Sequence, residues 1–310
     1  MPTTVLFHCH CPDGHASAFA CWQRFGDEAR YIPVAYGEPC PEIDDDHNVY
    51  IVDFSYPAET LQRLLAARIG RRTRAGAVVT VIDHHASAEQ DLLPLARQQL
   101  PGLLILFDMR ESGASLTWKY LRTAPDELAY LGESQELEQR LPTFFKYVRD
   151  RDLWQWQLPD SKAVSLAYWA LDKDFLNIEQ FAQNLDDAEG YHRIVTEGTA
   201  MQRYADALVK EQAARATVGT IGGYLVPIVN ATTLFSEVGD YLCTTHPEIP
   251  FCAYYFFRDA NTVQWGLRSR NDVDVSVIAK QFQGGGHKQA AGFVTTIEQC
   301  IQILHTMQDT

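Results

Sequence analysis

Six residues of this chain have types and positions that could do chemistry together: His8, Asp13, Asp53, Asp83, His84 and His85. Each closes or closely follows an apolar run. VLFH ends on His8 with CPDG and Asp13 behind it, NVYIVD ends on Asp53, and VVTVID ends on Asp83 with two imidazoles after it. A lone aspartate at a strand end is usually a cap or turn former. Several carboxylates gathered in one buried place repel one another, and two remedies are open, protonation or bound cations. Imidazoles among the oxygens favour a borderline transition ion such as manganese over a structural calcium. Two such ions about 3.5–4 Å apart suit phosphoester hydrolysis, one polarising a phosphoryl oxygen while the pair generates hydroxide from a shared water.

The elements that must position these residues read as strand then helix, repeated. VLFH at 5–8 is a strand, and SAFACWQRF beyond the CPDG turn is a helix; NVYIVDFSYP and LQRLLAARI (61–69), then AVVTVIDHH, continue the alternation, with LLILFD (103–108) as a further strand. That order predicts an α/β fold with a parallel, doubly wound sheet, whose strand carboxyl ends form the usual ligand crevice. Helical spacing recurs at 112–121, 134–149 and 161–172, and persists from 175 to about 216. The texture changes at GTIGGYLVPIVN, which is followed by the strand-like IPFCAYYFF and TVQWGLRSR and by the glycines of QGGGHKQAAGF. The expected division is a catalytic domain over 1–185, a helical linker over 186–217 and a smaller α/β domain over 218–310.

A hydrophobic share of 46% and 21% charged residues describe a folded globular chain. The formal net charge of -14 argues against a protein that coats duplex DNA with an extended basic surface, but leaves short or small anionic substrates open, because a cleft or bound cations can outweigh the average. Seven cysteines without paired CxxC repeats give neither a disulfide framework nor a zinc-finger ladder. Cys9 and Cys11 flank His10 in a CxC that could grip a soft metal, against the preferred reading of reduced thiols. MPTTVLFHCHC has no basic leader and no apolar run approaches a membrane span, so the expected location is cytoplasmic, without membrane association.

HCHCPDGHASA (8–18), VDFSYP (52–57), VIDHH (81–85), VRDRDLWQW (148–156) and GGGHKQAAGF (284–293) together resemble the ordered motifs of the DHH phosphoesterase family and its associated C-terminal domain, across essentially the whole chain. The resemblance implies two divalent ions, Mn2+ ahead of Mg2+ or Co2+, held by His8, Asp13, Asp53, Asp83 and His84, with Asp150 ranked above Asp152 for the fourth motif. It implies catalytic roles for Asp13, Asp53, Asp83 and His85, the last facing substrate as a hydrogen-bond donor or leaving-group acid, or else orienting a ligand. It implies that Arg268, Gly285, Gly286, His287 and Arg110 contact substrate phosphate, and that the two domains enclose a cleft. Cys11 and His15 stand where some members carry an extra acid, which leaves His10 and His15 as structural imidazoles, auxiliary ligands or substrate contacts. IGRRTR (69–74) reads as solvated, Arg270 as a second anion contact, and Trp154, Trp156 and Tyr255 as core aromatics that could stack a base.

The leading expectation is an Mn-dependent phosphohydrolase acting on short oligonucleotides or related nucleotides. Two alternatives stand beside it: an exopolyphosphatase or pyrophosphatase taking polyphosphate as substrate, and a catalytically silent nucleotide-binding regulatory protein.

Overall fold

The computed structural model describes residues 2–9, 11–35, 37–69, 78–123 and 134–305. Most of the basic IGRRTR stretch, and His10, lie outside them. Contacts divide the chain into two compact units, Met1–Met201 and Gln202–Thr310.

The first unit is built on five parallel strands: β1 (Thr3–His8), β2 (Arg30–Val34), β3 (Asn48–Val52), β4 (Val79–Asp83) and β5 (Leu103–Phe107). Their order across the sheet is β2-β1-β3-β4-β5. The chain moves outward from β1 in both directions, so the strand order reverses between β1 and β3, where a doubly wound sheet opens its ligand crevice. The strands are apolar on both faces because both are covered. Val5, Phe7, Val52 and Ile82 join one core, while Leu6, Val49, Ile51, Val79 and Val81 join the opposite one. The strand pattern of the sequence does not single out β2: RYIPV is short, carries a proline and lies at the sheet edge, where a missing N–H is tolerated.

Helices follow the strands. α1 (Pro12–Phe25) begins with proline in its first turn and is capped by the Cys11 side chain, which accepts from Gly14 N–H. α2 (Ala58–Ile69) and α3 (Ala86–Ala96) follow β3 and β4, and α4 (Gly113–Tyr120) starts with a capping box between Ser112 and Ser115. α5 (Gln135–Arg140), α6 (Thr143–Asp152), α7 (Ser161–Ala170) and α8 (Phe175–Asp186) add aromatic and aliphatic side chains to the core over α1 and α4, among them Phe144, Phe145, Tyr168 and Phe181. α9 (Ala188–Ala213) runs through the division between the units.

The second unit has six strands in the order β10-β11-β9-β8-β7-β6. They are β6 (Thr217–Ile221), β7 (Tyr224–Asn230), β8 (Cys252–Phe257), β9 (Thr262–Arg268), β10 (Gly285–His287) and β11 (Ala290–Thr296), with α10 (Phe235–Thr245), α11 (Val275–Lys280) and α12 (Ile297–His305). Only β7 and β8 pair in parallel. Trp265 fills the core and donates its Nε1–H to Thr295 Oγ1 (3.0 Å). The α/β class with two sheet domains is therefore as the sequence indicates.

Candidate metal centre

The site residues of the first unit come from the carboxyl ends of β1, β3 and β4, the N-termini of α1 and α4, and the last turn of α6. Asp53 is the pivot. It follows β3 with a left-handed backbone (φ 61°), an uncommon conformation for a side-chain-bearing residue that marks local strain held by its surroundings. Its Oδ2 accepts from Cys11 Sγ (2.9 Å) and lies 3.7 Å from His8 Nδ1, while its Oδ1 lies 3.2 Å from His84 Nε2. His84 Nε2 also approaches Asp13 Oδ2 and Asp152 Oδ2, each at 3.5 Å. Donor atoms thus converge in three overlapping sets that could each hold an ion, His8–Cys11–Asp53, Asp53–His84–His85 and Asp13–His84–Asp152; Asp53 belongs to the first two, and its Oδ1 faces the His84 that the last two share.

Asp13 is placed by α4. Gly113 N–H donates to its Oδ2 (2.6 Å) and Ala114 N–H to its Oδ1 (3.0 Å), the unpaired amides of a helix N-terminus receiving a carboxylate. Gly113 is required by space: a Cβ there would lie 2.7 Å from Asp53 Cβ and Oδ1 and 3.0 Å from Asp13 Oδ2. Gly14 is equally confined, since a Cβ would fall 2.0 Å from His8 O.

Asp83 is fully buried and faces another way. Its Oδ2 accepts from Ser55 Oγ (2.7 Å), and its Oδ1 meets His84 N–H (2.7 Å) and His85 Nδ1 (2.6 Å). The contacts shown here make Asp83 the residue that fixes the orientation of His85. Ser55, which sequence reasoning misses, completes that arrangement.

The electrostatics follow from burial of unbalanced acid. Asp13 is pushed well above the usual carboxylate range by burial and by Asp53 and Asp152, against the pull of His84. Asp152 is raised by burial too. Asp53 goes the opposite way: burial would raise it, but hydrogen bonds from His8 and His84 hold it well below the usual range. His84, which burial alone would lower, is pushed up to about 10 by Asp152, Asp53 and Asp13. Asp83 is lowered by His85 and Ser55 despite burial, and His85 raised by Asp83. The Cys11 thiol is driven far up by burial and by the charges of Asp53 and Asp13.

Of the two acids at the end of α6, the geometry sets Asp152 rather than Asp150 beside His84. Asp150 is buried, and its carboxylate caps the segment entering α7, accepting from Gln157 N–H (2.8 Å), Leu158 N–H (3.4 Å) and Ser161 Oγ (2.5 Å). Asp152, two residues on, points at His84 instead. Arg110 meets a carboxylate of its own turn. Its Nε and Nη2 pair with Asp108 (3.0 and 2.9 Å) in the exposed turn before α4. His15 has its Nε2 3.0 Å from Cys9 O and its ring edge-on to Phe7. Trp154 and Trp156 pack edge to face with Arg151 over Trp154, and Tyr255 packs on Trp265.

In the second unit, Arg268 on β9 pairs with Ala290 of β11, which pairs with His287 of β10. Directly opposed residues of adjacent strands project to the same side, so Arg268 and His287 belong to one row on one sheet face. The Arg268 guanidinium donates to Ser236 Oγ (2.9 Å) and Leu267 O (2.9 Å) and lies over Tyr254. Gly285 and Gly286 precede His287 on the edge strand, Gly286 with φ 138°. Arg270 pairs with Asp240.

Residues 236–310 match the DHHA1 domain. An uncharacterized protein of Acanthamoeba polyphaga mimivirus, R106, is 25% identical over 319 aligned positions, covering 96% of this chain and 68% of that protein. Oligoribonuclease NrnB of Bacillus subtilis is 26% identical over 278 aligned positions, covering 84% of this chain and 62% of that enzyme. The chain thus spans about two thirds of the length of these curated relatives. Among solved structures, the DHH domain of a protein described as belonging to a family of ribosomal proteins aligns over 99% of this chain and 85% of its own, with a TM-score of 0.61 and 14% identity, which shows a shared fold. Among the described residues no helix is long and apolar enough to cross a membrane. The DHHA1 match at the C-terminus, the relatives that align along most of the chain and the shared fold together support a DHH family phosphoesterase.

Proposed function

We propose that this chain is a divalent-metal-dependent phosphohydrolase that releases mononucleotides from short oligonucleotides or related nucleotides, with manganese as the working ion. The observation that carries the reading is Asp53, one carboxylate facing two donor sets. The residues fit cations: among the described residues, Asp13, Asp53, Asp83 and Asp152 meet three imidazoles, those of His8, His84 and His85, and Gly113 leaves to the carboxylates the volume that a Cβ would fill. His8 and Asp53 would hold one ion, and Asp13, His84, Asp152 and Asp53 the other. Bound there, the cations supply Lewis acidity to a phosphoryl oxygen and make hydroxide accessible at neutral pH.

The chain's own residues supply the rest. α4 holds Asp13 rigidly through two amides, so its carboxylate is oriented before any ion arrives. Asp83 fixes the His85 tautomer and ring plane through Nδ1, which makes Nε2 the atom that donates to a phosphoryl oxygen or protonates the departing alkoxide. The row containing Arg268 and His287, with the Gly285–Gly286 amides beside it, suits a phosphate. The substrate class is supported by the similarity to an oligoribonuclease and by a net charge of -14, which disfavours long duplex DNA.

The test is chromatography of products from an Mn2+-supplemented panel of short RNA, short DNA, linear and cyclic dinucleotides, 3'-phosphoadenosine 5'-phosphate, pyrophosphate and polyphosphate. Mononucleotides from short RNA, with little orthophosphate from the inorganic chains, are expected. Preferential release of orthophosphate from inorganic chains would replace the substrate assignment.

A further inference from the structure

Cys11 lies among the atoms assigned above to metal. Its Sγ is 3.1 Å from His8 Nδ1 and 2.9 Å from Asp53 Oδ2, and His8 Nδ1 is 3.7 Å from the same oxygen. Bond lengths of about 2.0–2.3 Å around a tetrahedral ion place neighbouring N, O and S ligand atoms roughly 3.3–3.6 Å apart. All three observed edges lie within about 0.4 Å of that range, the two at sulfur being the short ones, so small side-chain movements would fit the triangle around an ion. The backbone fixes the sulfur there, because Cys11 caps α1 and Gly14 N–H points at Sγ (3.2 Å). Asp53 turns its other oxygen to His84, so the Cys11 side of that carboxylate is a distinct ligand position.

We propose that Cys11 supplies a thiolate sulfur to the cation position formed by His8 and Asp53, and that this sulfur tilts the position from Mg2+ toward borderline and soft ions such as Zn2+, Co2+ or Cd2+. The inference rests on the metal reading of the site given above. On binding, the S–H proton leaves to solvent and the sulfur lone pair forms the bond to the ion, with no change of oxidation state. The contact with Asp53 that the thiol makes as a donor is replaced by shared attachment to the cation. A sulfur ligand favours soft ions because its polarisable lone pair gains little from a hard ion such as Mg2+.

Cobalt tests the proposal in the full-length chain. Wild-type protein stripped of metal and loaded with Co2+ is expected to show visible d–d bands and a sulfur-to-cobalt charge-transfer band in the near ultraviolet. Cys11→Ser keeps an N-cap side chain for α1, so it should fold with an unchanged far-ultraviolet circular dichroism spectrum and still bind cobalt without the charge-transfer band. Calorimetric titration should show its Cd2+ affinity down about tenfold or more, with Mg2+ affinity essentially unchanged. Cobalt bound by the wild type without the sulfur band, or a band that survives in Cys11→Ser, overturns the role of Cys11 and leaves the metal centre standing. A wild-type chain that retains no cobalt, manganese or cadmium overturns both.

Discussion

Two charge clusters, each with a buried centre and a partly exposed rim, flank the start of α4, and they differ in balance. On one side Glu111 and Glu138 meet Lys119 and Arg149: Lys119 Nζ donates to Glu111 Oε1 (2.7 Å) and Glu138 Oε2 (2.8 Å), and Arg149 reaches both acids, with Nη2 2.6 Å from Glu138 Oε1. Two acids face two bases, and Ser115 Oγ adds a donor to Glu111. On the other side the carboxylates outnumber the imidazoles, and Asp13 can stay ionised only at a cost that burial makes large. A self-neutralised cluster holds helices together and asks for nothing from outside. An unbalanced one calls for protons or cations, and histidines among the acids indicate which cations.

The largest expected break in that contrast is Asp53→Asn. It removes the carboxylate that faces both donor sets, and turnover should fall by about a thousandfold or more. Manganese should raise the melting temperature of the wild type and leave that of the variant unchanged, since only a bound ion stabilises by linkage. A variant that hydrolyses at the wild-type rate would remove Asp53 from the chemistry. The balanced cluster should respond in stability instead. Lys119 is 2% exposed, and Lys119→Met leaves two acids with one base, at a cost of about 3–5 kcal/mol in chemical denaturation. Manganese affinity should persist in the folded fraction. Lost manganese binding without lost stability would mean that the two clusters are not separate in function.

The contrast is only partly legible in the sequence. The strand-end positions of His8, Asp53 and Asp83 follow from apolar runs that stop at polar residues, and the parallel sheet follows from their alternation with helices. What cannot be read is direction. Asp150 and Asp152 stand two apart in the last turn of α6, so they project to different sides of the helix, and only packing decides which side meets His84. Asp83 likewise has its strand-end address in the sequence, but its commitment to His85 and Ser55 depends on a rotamer. Cys11 is legible as a cysteine before a PDG turn, whereas the aim of its sulfur at Asp53 requires the left-handed backbone that turns the acid toward it. Edge strand β2 is hidden because its proline argues against a strand everywhere except at a sheet edge.

A smaller effect probes the seam between the clusters. Gly113 belongs to the same turn as Glu111 but touches the acids of the candidate metal centre, and Gly113→Ala introduces a methyl where Asp53 and Asp13 already lie. Displacing either carboxylate by about 1 Å should lower kcat on the order of a hundredfold, with little change in the melting temperature of the metal-free protein. An alanine variant with unaltered kcat and manganese affinity would show that the carboxylates have room to spare, and the fit of this cradle to cations would weaken accordingly.

The smallest effect is a pH dependence that belongs to the balanced cluster alone. Hydrogen bonds from Arg149 and then Lys119 hold Glu138 at about 2, below its unfolded value. A carboxylate depressed in the folded state stabilises above its unfolded pKa and loses that contribution as pH falls through the folded one. Wild-type stability should therefore decline between the ordinary glutamate range and pH 2 by more than that of Glu138→Gln, which lacks the titrating group and starts lower at neutral pH. The side chain is 43% exposed, so solvent screening keeps the difference small and salt should shrink it further. Denaturation curves of the two proteins without added metal, collected from pH 6 downward at low and high salt, measure it. Parallel pH profiles would show that Arg149 and Lys119 neutralise Glu111 alone, and the balance argued for this cluster would then rest on one acid rather than two.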